Sequence, residues 1–102
     1  MKIVVSKEDI EKGRKQDGSR CPIAIATRRA TGLKGITVGI GEIKREVKGK
    51  KVIFHYLNKK ARNFVVDFDD TWGDGGGRKL VKPFSFNIPV SHLIKVGYRK
   101  AK

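Results

Sequence analysis

Two hydrophobic periods run through this chain, and together they limit what it can fold into. Ala61, Phe64, Val65 and Phe68 recur at i, i+3, i+4 and i+7, the spacing that gathers apolar side chains on one stripe of a helix. Phe84, Phe86 and Ile88 alternate with Ser85 and Asn87, the spacing of a half-buried strand. A chain of 102 residues is one small domain, so helix and sheet must share one core. Apolar residues make up 38% and charged residues 33%, so that core is thin and each element can offer it only one face. No apolar run approaches the roughly 18 residues of a membrane span, and residues 1–5 are too short for a secretory signal; a cytoplasmic protein is expected. Cys21, the one cysteine, excludes an intrachain disulfide and a cysteine-rich zinc site.

Local signals place the other elements. Lys2–Val5 reads as a short strand. Ser6 caps a helix with Asp9 as the acid of a capping box, and Gly13 ends it within about two turns. Pro22 suits the first position of a second helix, with Ile23, Ala26 and Ala30 on one face and Gly32 as a left-handed C-cap. Residues 36–40 read as a β-branched strand interrupted by Gly39 and Gly41. Glu42–Val47 and residues 51–56 flank the loop Lys48-Gly49-Lys50, as in a hairpin. Val52, Phe54 and Tyr56 are expected on the opposite face from Ile53 and His55. Asn58 caps the third helix, and residues 90–96 read as either strand or helical turn. The order β-α-α-β-β-β-α-β predicts a single α+β domain, mainly antiparallel sheet with two or three helices on one face. Residues 1–97 form that domain and 98–102 a frayed basic tail.

Charge is the strongest functional signal. Lysine and arginine number 24 against 10 acids, a formal net charge of +14. Residues 43–66 hold eight bases and one acid, whereas 67–77 hold four acids and no base. Lys44, Arg45, Lys48, Lys50, Lys51, Lys59, Lys60 and Arg62, joined by Arg28, are the candidate phosphate-binding residues. Each base placed on a phosphate backbone releases a counterion, so such a chain binds polyanions at low salt. Tyr56, Trp72 and Tyr98 are the aromatics left for base stacking once the periodic core is counted. The third helix carries Lys59, Lys60 and Arg62 at its N-terminus and Asp67, Asp69 and Asp70 at its C-terminus, against the helix dipole. Either a phosphate sits at that N-terminus or these residues meet opposite charges elsewhere in the fold.

Other chemistry fits less well. Asp67, Asp69, Asp70 and Asp74 offer oxygens to a hard cation, but Trp72 and Arg78 stand where a calcium loop wants Gly and Glu. No metal site and no cofactor are expected. Cys21 beside Arg20 at a helix N-terminus has the setting of a thiolate, and a catalytic role would need His55 or His92 as base. The default for a lone cysteine is a small apolar core residue. No nucleotide P-loop, zinc-finger spacing or ribonucleoprotein octamer is present.

Cys21-Pro22-Ile23-Ala24-Ile25-Ala26, Phe64-Val65-Val66-Asp67-Phe68-Asp69 and Lys82-Pro83-Phe84-Ser85-Phe86 together resemble a family of small phage and prophage proteins. The resemblance spans most of residues 1–88. It implies a viral or mobile-element source and action inside a bacterial cell; it supplies no catalytic residues. The basic segment 44–51 and the basic tail depart from it. Three readings follow. The first is a non-enzymatic binder of DNA, RNA or a host nucleoprotein complex. The second is an anti-defence inhibitor that binds a host immune complex, or sequesters a phosphorylated nucleotide in a pocket joining Arg28, Lys59 and an aromatic. The third is a metal-dependent phosphodiesterase using the Asp67–Asp74 carboxylates.

Overall fold

The first strand of the chain pairs with the last. The computed structural model describes residues 1–69 and 81–99. Among these, strands β1 (Lys2–Val5), β2 (Ile36–Val38), β3 (Glu42–Val47), β4 (Lys50–Tyr56) and β5 (Phe84–Asn87) are joined by helices α1 (Lys7–Lys12), α2 (Pro22–Thr31), α3 (Lys59–Phe68) and α4 (Val90–Ile94). The domain is α+β, with its strands in two antiparallel sheets, β1-β5 and β2-β3-β4, rather than one. In the two-stranded sheet Ile3 lies opposite Phe86 and Val5 opposite Phe84. The ladder runs past the strand ends, because the Met1 ammonium donates to the Ile88 carbonyl at 2.7 Å and the Ile88 amide to the Met1 carbonyl at 2.9 Å.

The helices begin and end where local chemistry dictates. The Ser6 Oγ accepts the Asp9 amide and the Asp9 carboxylate accepts the Ser6 amide, closing a capping box on α1. Pro22 opens α2, and Gly32 ends it at φ 72°. Asn58 caps α3 by accepting the Ala61 amide at 2.8 Å. One apolar core unites the elements: Ile3 and Val5 of β1, Ile23 and Ala26 of α2, Ile36 and Ile43 of the larger sheet, Phe64 and Phe68 of α3, and Leu93 of α4. Ala30 is exposed, contrary to the helical-face expectation; Ala24 and Thr27 complete the buried side of α2, the threonine hydroxyl donating to the Ile23 carbonyl at 2.7 Å. Tyr98 is half-buried against the core and its amide bonds to the Leu93 carbonyl, so it belongs to the domain and not to a frayed tail.

The β3-β4 hairpin departs from simple alternation. Its loop is two residues, Lys48 at φ 52° and Gly49 at φ 79°, with Lys50 already in β4. Positive φ at both positions is the type I′ turn that matches strand twist. Further along, His55 faces Ile43 while Ile53 faces Lys44, so Phe54 is the extra residue of a β-bulge. Phe54, 5% exposed, and His55 both turn to the inner side there, and Tyr56 is thrown to the outer side, where it is 71% exposed. Val52, opposite the inward Arg45, and Phe54 keep the shared face expected of them, whereas Tyr56 and His55 exchange faces. The segment 90–96 resolves as helix rather than strand.

Candidate nucleic-acid interface

Antiparallel pairing fixes which side chains share the solvent face of the larger sheet. Tyr56 lies opposite Glu42, Ile53 opposite Lys44, Lys51 opposite Glu46, and Thr37 of β2 opposite Lys44. Residues directly opposite one another point to the same side. Ile36, Val38 and Ile43 fill the inner side and are buried. The outer side thus presents a row of Tyr56, Ile53 and Lys51 along β4, with Glu42, Lys44 and Glu46 beside it on β3. Ile53 is 44% exposed, and Lys44 is held at 3.7 Å from the Glu42 carboxylate. An open polar pocket of about 380 Å³ lies where the loop at residues 17–19 meets this face, lined in part by Thr37, Lys44 and Lys51. Gly18 allows that approach: its carbonyl accepts the Val38 amide at 3.0 Å, and a Cβ there would lie 2.7 Å from the Val38 carbonyl oxygen.

The start of α3 adjoins the β2-β3 turn at one end of this sheet. The Leu57 amide donates to the Gly41 carbonyl at 2.9 Å, which brings the helix start against the β2-β3 turn. Arg62 runs alongside that turn, its Cδ 3.8 Å from where a Cβ on Gly41 would sit. Lys59, Lys60 and Arg62 are exposed, and none pairs with a carboxylate among the described residues. Lys60 Nζ stands 5.8 Å from the centroid of the Phe84 ring. The acids at the other end of α3 are partly explained: the Asp69 carboxylate accepts the Gln16 amide at 2.9 Å, where Gln16 turns at φ 57°. At the N-terminus, Asn58 already takes the Ala61 amide, so the helix offers a phosphate fewer free donors than the sequence suggests.

Not every candidate base is free. Arg45 lies on the inner side of the sheet, its guanidinium donating to the Lys34 carbonyl at 2.8 Å and to the Val96 carbonyl. Arg28 donates to the Ile36 carbonyl at 3.2 Å. Both clamp the fold. Lys48 and Lys50 project from the hairpin tip, exposed, as is Lys51. The pocket beside α3, about 350 Å³, is lined by Lys60, Asn63, Phe64 and Asp67 with residues 81–84, not by Arg28 and Lys59. Trp72, Asp70 and Asp74 lie outside the described residues.

Cys21 is the small core residue that the default reading expects, and the alternative of a thiolate is not met. The side chain is buried, and burial pushes the thiol up to about 11 despite the helix amides nearby. The two histidines instead contact each other, with Nδ1 of His55 3.1 Å from Nδ1 of His92. Burial, and then the neighbouring His92, hold the His55 imidazole below its ordinary range. Sequence reasoning missed this pair because 37 residues separate its members. Among the described residues no group of three or more histidine, cysteine or acidic side chains could hold a metal, and no helix is long and apolar enough to cross a membrane. No family model, curated protein or solved structure matches the chain.

Proposed function

We propose that this protein is a non-enzymatic binder of single-stranded nucleic acid, RNA or DNA, held across the outer face of the β2-β3-β4 sheet and the start of α3. The observation that carries the reading is Tyr56, 71% exposed on a sheet face whose other members include Lys44, Lys51 and the apolar Ile53. A large aromatic left in water beside lysines, here Lys51 and the Glu42-paired Lys44, is the stacking platform that unpaired bases use, and stacking tolerates any base. Lys48 and Lys50 at the hairpin tip and Lys59 and Arg62 on α3 extend the positive field at both ends of the row, where phosphates would lie. Duplex has no unstacked base for Tyr56, so it would be held by charge alone. The resemblance to phage proteins adds the setting of a bacterial cytoplasm.

The test is fluorescence anisotropy with labelled single-stranded and duplex oligonucleotides of equal length. Single strands should bind more tightly, with little sequence preference. If about five phosphates are neutralised, the log–log salt slope should be near −3.5 on a single strand. Tyr56→Ala should weaken single-strand binding roughly 5- to 100-fold, the range for losing one stacked base, with an unchanged melting temperature. Absence of binding to any oligonucleotide at about 50 mM salt would overturn the reading, as would a Tyr56→Ala variant that binds like the unsubstituted protein.

A further inference from the structure

We propose that His55 and His92 form a two-imidazole site for a borderline divalent cation, Zn²⁺, Ni²⁺ or Cu²⁺, that ties α4 to β4. The bulge at Phe54 turns His55 to the inner side of the sheet, opposite Ile43, and α4 brings His92 across to meet it. Their facing Nδ1 atoms are 3.1 Å apart, and the rings are tilted by 45° with centroids 5.4 Å apart. The Phe86 ring of the other sheet lies beside His55, with centroids 6.2 Å apart and planes within 23° of parallel. Both histidines are half-buried, so the pair is held in place yet reachable from solvent.

This separation suits a chelate. A metal at the usual imidazole distance of about 2.0–2.1 Å from each nitrogen would see them at an angle of about 95–100°, between the square-planar and tetrahedral values. In the metal-free pair one Nδ1 donates its proton to the other. Chelation needs a lone pair on both, so that proton moves to Nε2 of the same ring and the rings turn until the two lone pairs converge. Imidazole nitrogen selects Zn²⁺, Ni²⁺ and Cu²⁺ over Mg²⁺ and Ca²⁺, which prefer oxygen. Water would fill the remaining positions. The site is independent of the nucleic-acid face: His55 points to the inner side of the sheet and Tyr56 to the outer.

The experiment uses tag-free, chelator-treated protein. About 100 µM Zn²⁺, Ni²⁺ or Cu²⁺ should raise the melting temperature by several degrees, reversibly with EDTA, while the same concentration of Mg²⁺ or Ca²⁺ should not. His92→Gln and His55→Gln should each abolish the shift. Because His55→Gln disturbs a half-buried position, a second readout is made on the unsubstituted protein: one equivalent of Cu²⁺ should give an electron paramagnetic resonance spectrum with superhyperfine structure from two imidazole nitrogens. No thermal shift with any of the three metals, an equal shift in His92→Gln, or a copper spectrum lacking two nitrogen ligands would overturn the proposal.

Discussion

Arg28, Arg29 and Arg45 commit their guanidinium groups to backbone carbonyls: those of Ile36, of Val4, and of Lys34 and Val96. Composition counts them with the lysines, but their planar forks act as internal fasteners. Arg45→Gln should therefore lower stability by about 1.5–3 kcal/mol, the cost of losing hydrogen bonds from a charged donor, while Lys51→Gln should leave stability within about 0.5 kcal/mol and weaken oligonucleotide binding. Paired urea melts and anisotropy titrations separate the two roles. Asp9 is the acidic counterpart. Burial alone would raise its pKa, but hydrogen bonds from Arg29 and from the Ser6 amide and hydroxyl, with the Arg29 charge, bring it below the usual carboxylate value. A lowered folded pKa means that the unfolded chain takes up protons first. The contribution of Asp9 is thus whole above about pH 4 and is lost as pH falls through the folded pKa. Melting temperatures between pH 2 and 6 should fall more steeply for the unsubstituted protein than for Asp9→Asn.

At the level of elements, α3 still carries uncompensated charge at its start. The helix dipole disfavours Lys59 and Lys60 there, and no carboxylate answers them among the described residues. Lys59→Gln/Lys60→Gln should stabilise the free protein by a few tenths of a kcal/mol per charge and weaken its hold on a single strand; a calorimetric melt and a binding curve on the same preparation check both. The caps of α1, α2 and α3 were legible because a cap is a bond between near neighbours: Ser6 with Asp9, Asn58 with Ala61, Gly32 in its left-handed turn. The stripe Ala61, Phe64, Val65 and Phe68 was legible because its period is local. The bulge at Phe54 was not, since it exists only as a register against β3, and the expected alternation around Tyr56 failed there. The same step hid both sites: it sets Tyr56 in solvent and swings His55 toward His92. The short motifs that suggested a phage family, for which no match is found, lie largely in packed positions, with Cys21, Pro22, Ile23, Ala24, Ala26 and Phe86 all buried. They describe how the domain packs more than what it binds.

For the molecule as a whole, the pairing of β1 with β5 sets Lys2 opposite Asn87, so the two-stranded sheet closes almost the entire chain into a loop. Among the described residues every other strand pairing is between neighbours in sequence. The hairpin and the β2-β3 pair can form as soon as their residues are available, but β1 must wait for its partner. Such a distant contact raises the contact order and places a slow, entropically costly closure late in folding. During synthesis, Ile3 and Val5 leave the ribosome without the strand that will cover them, while the hairpin behind them can already be formed.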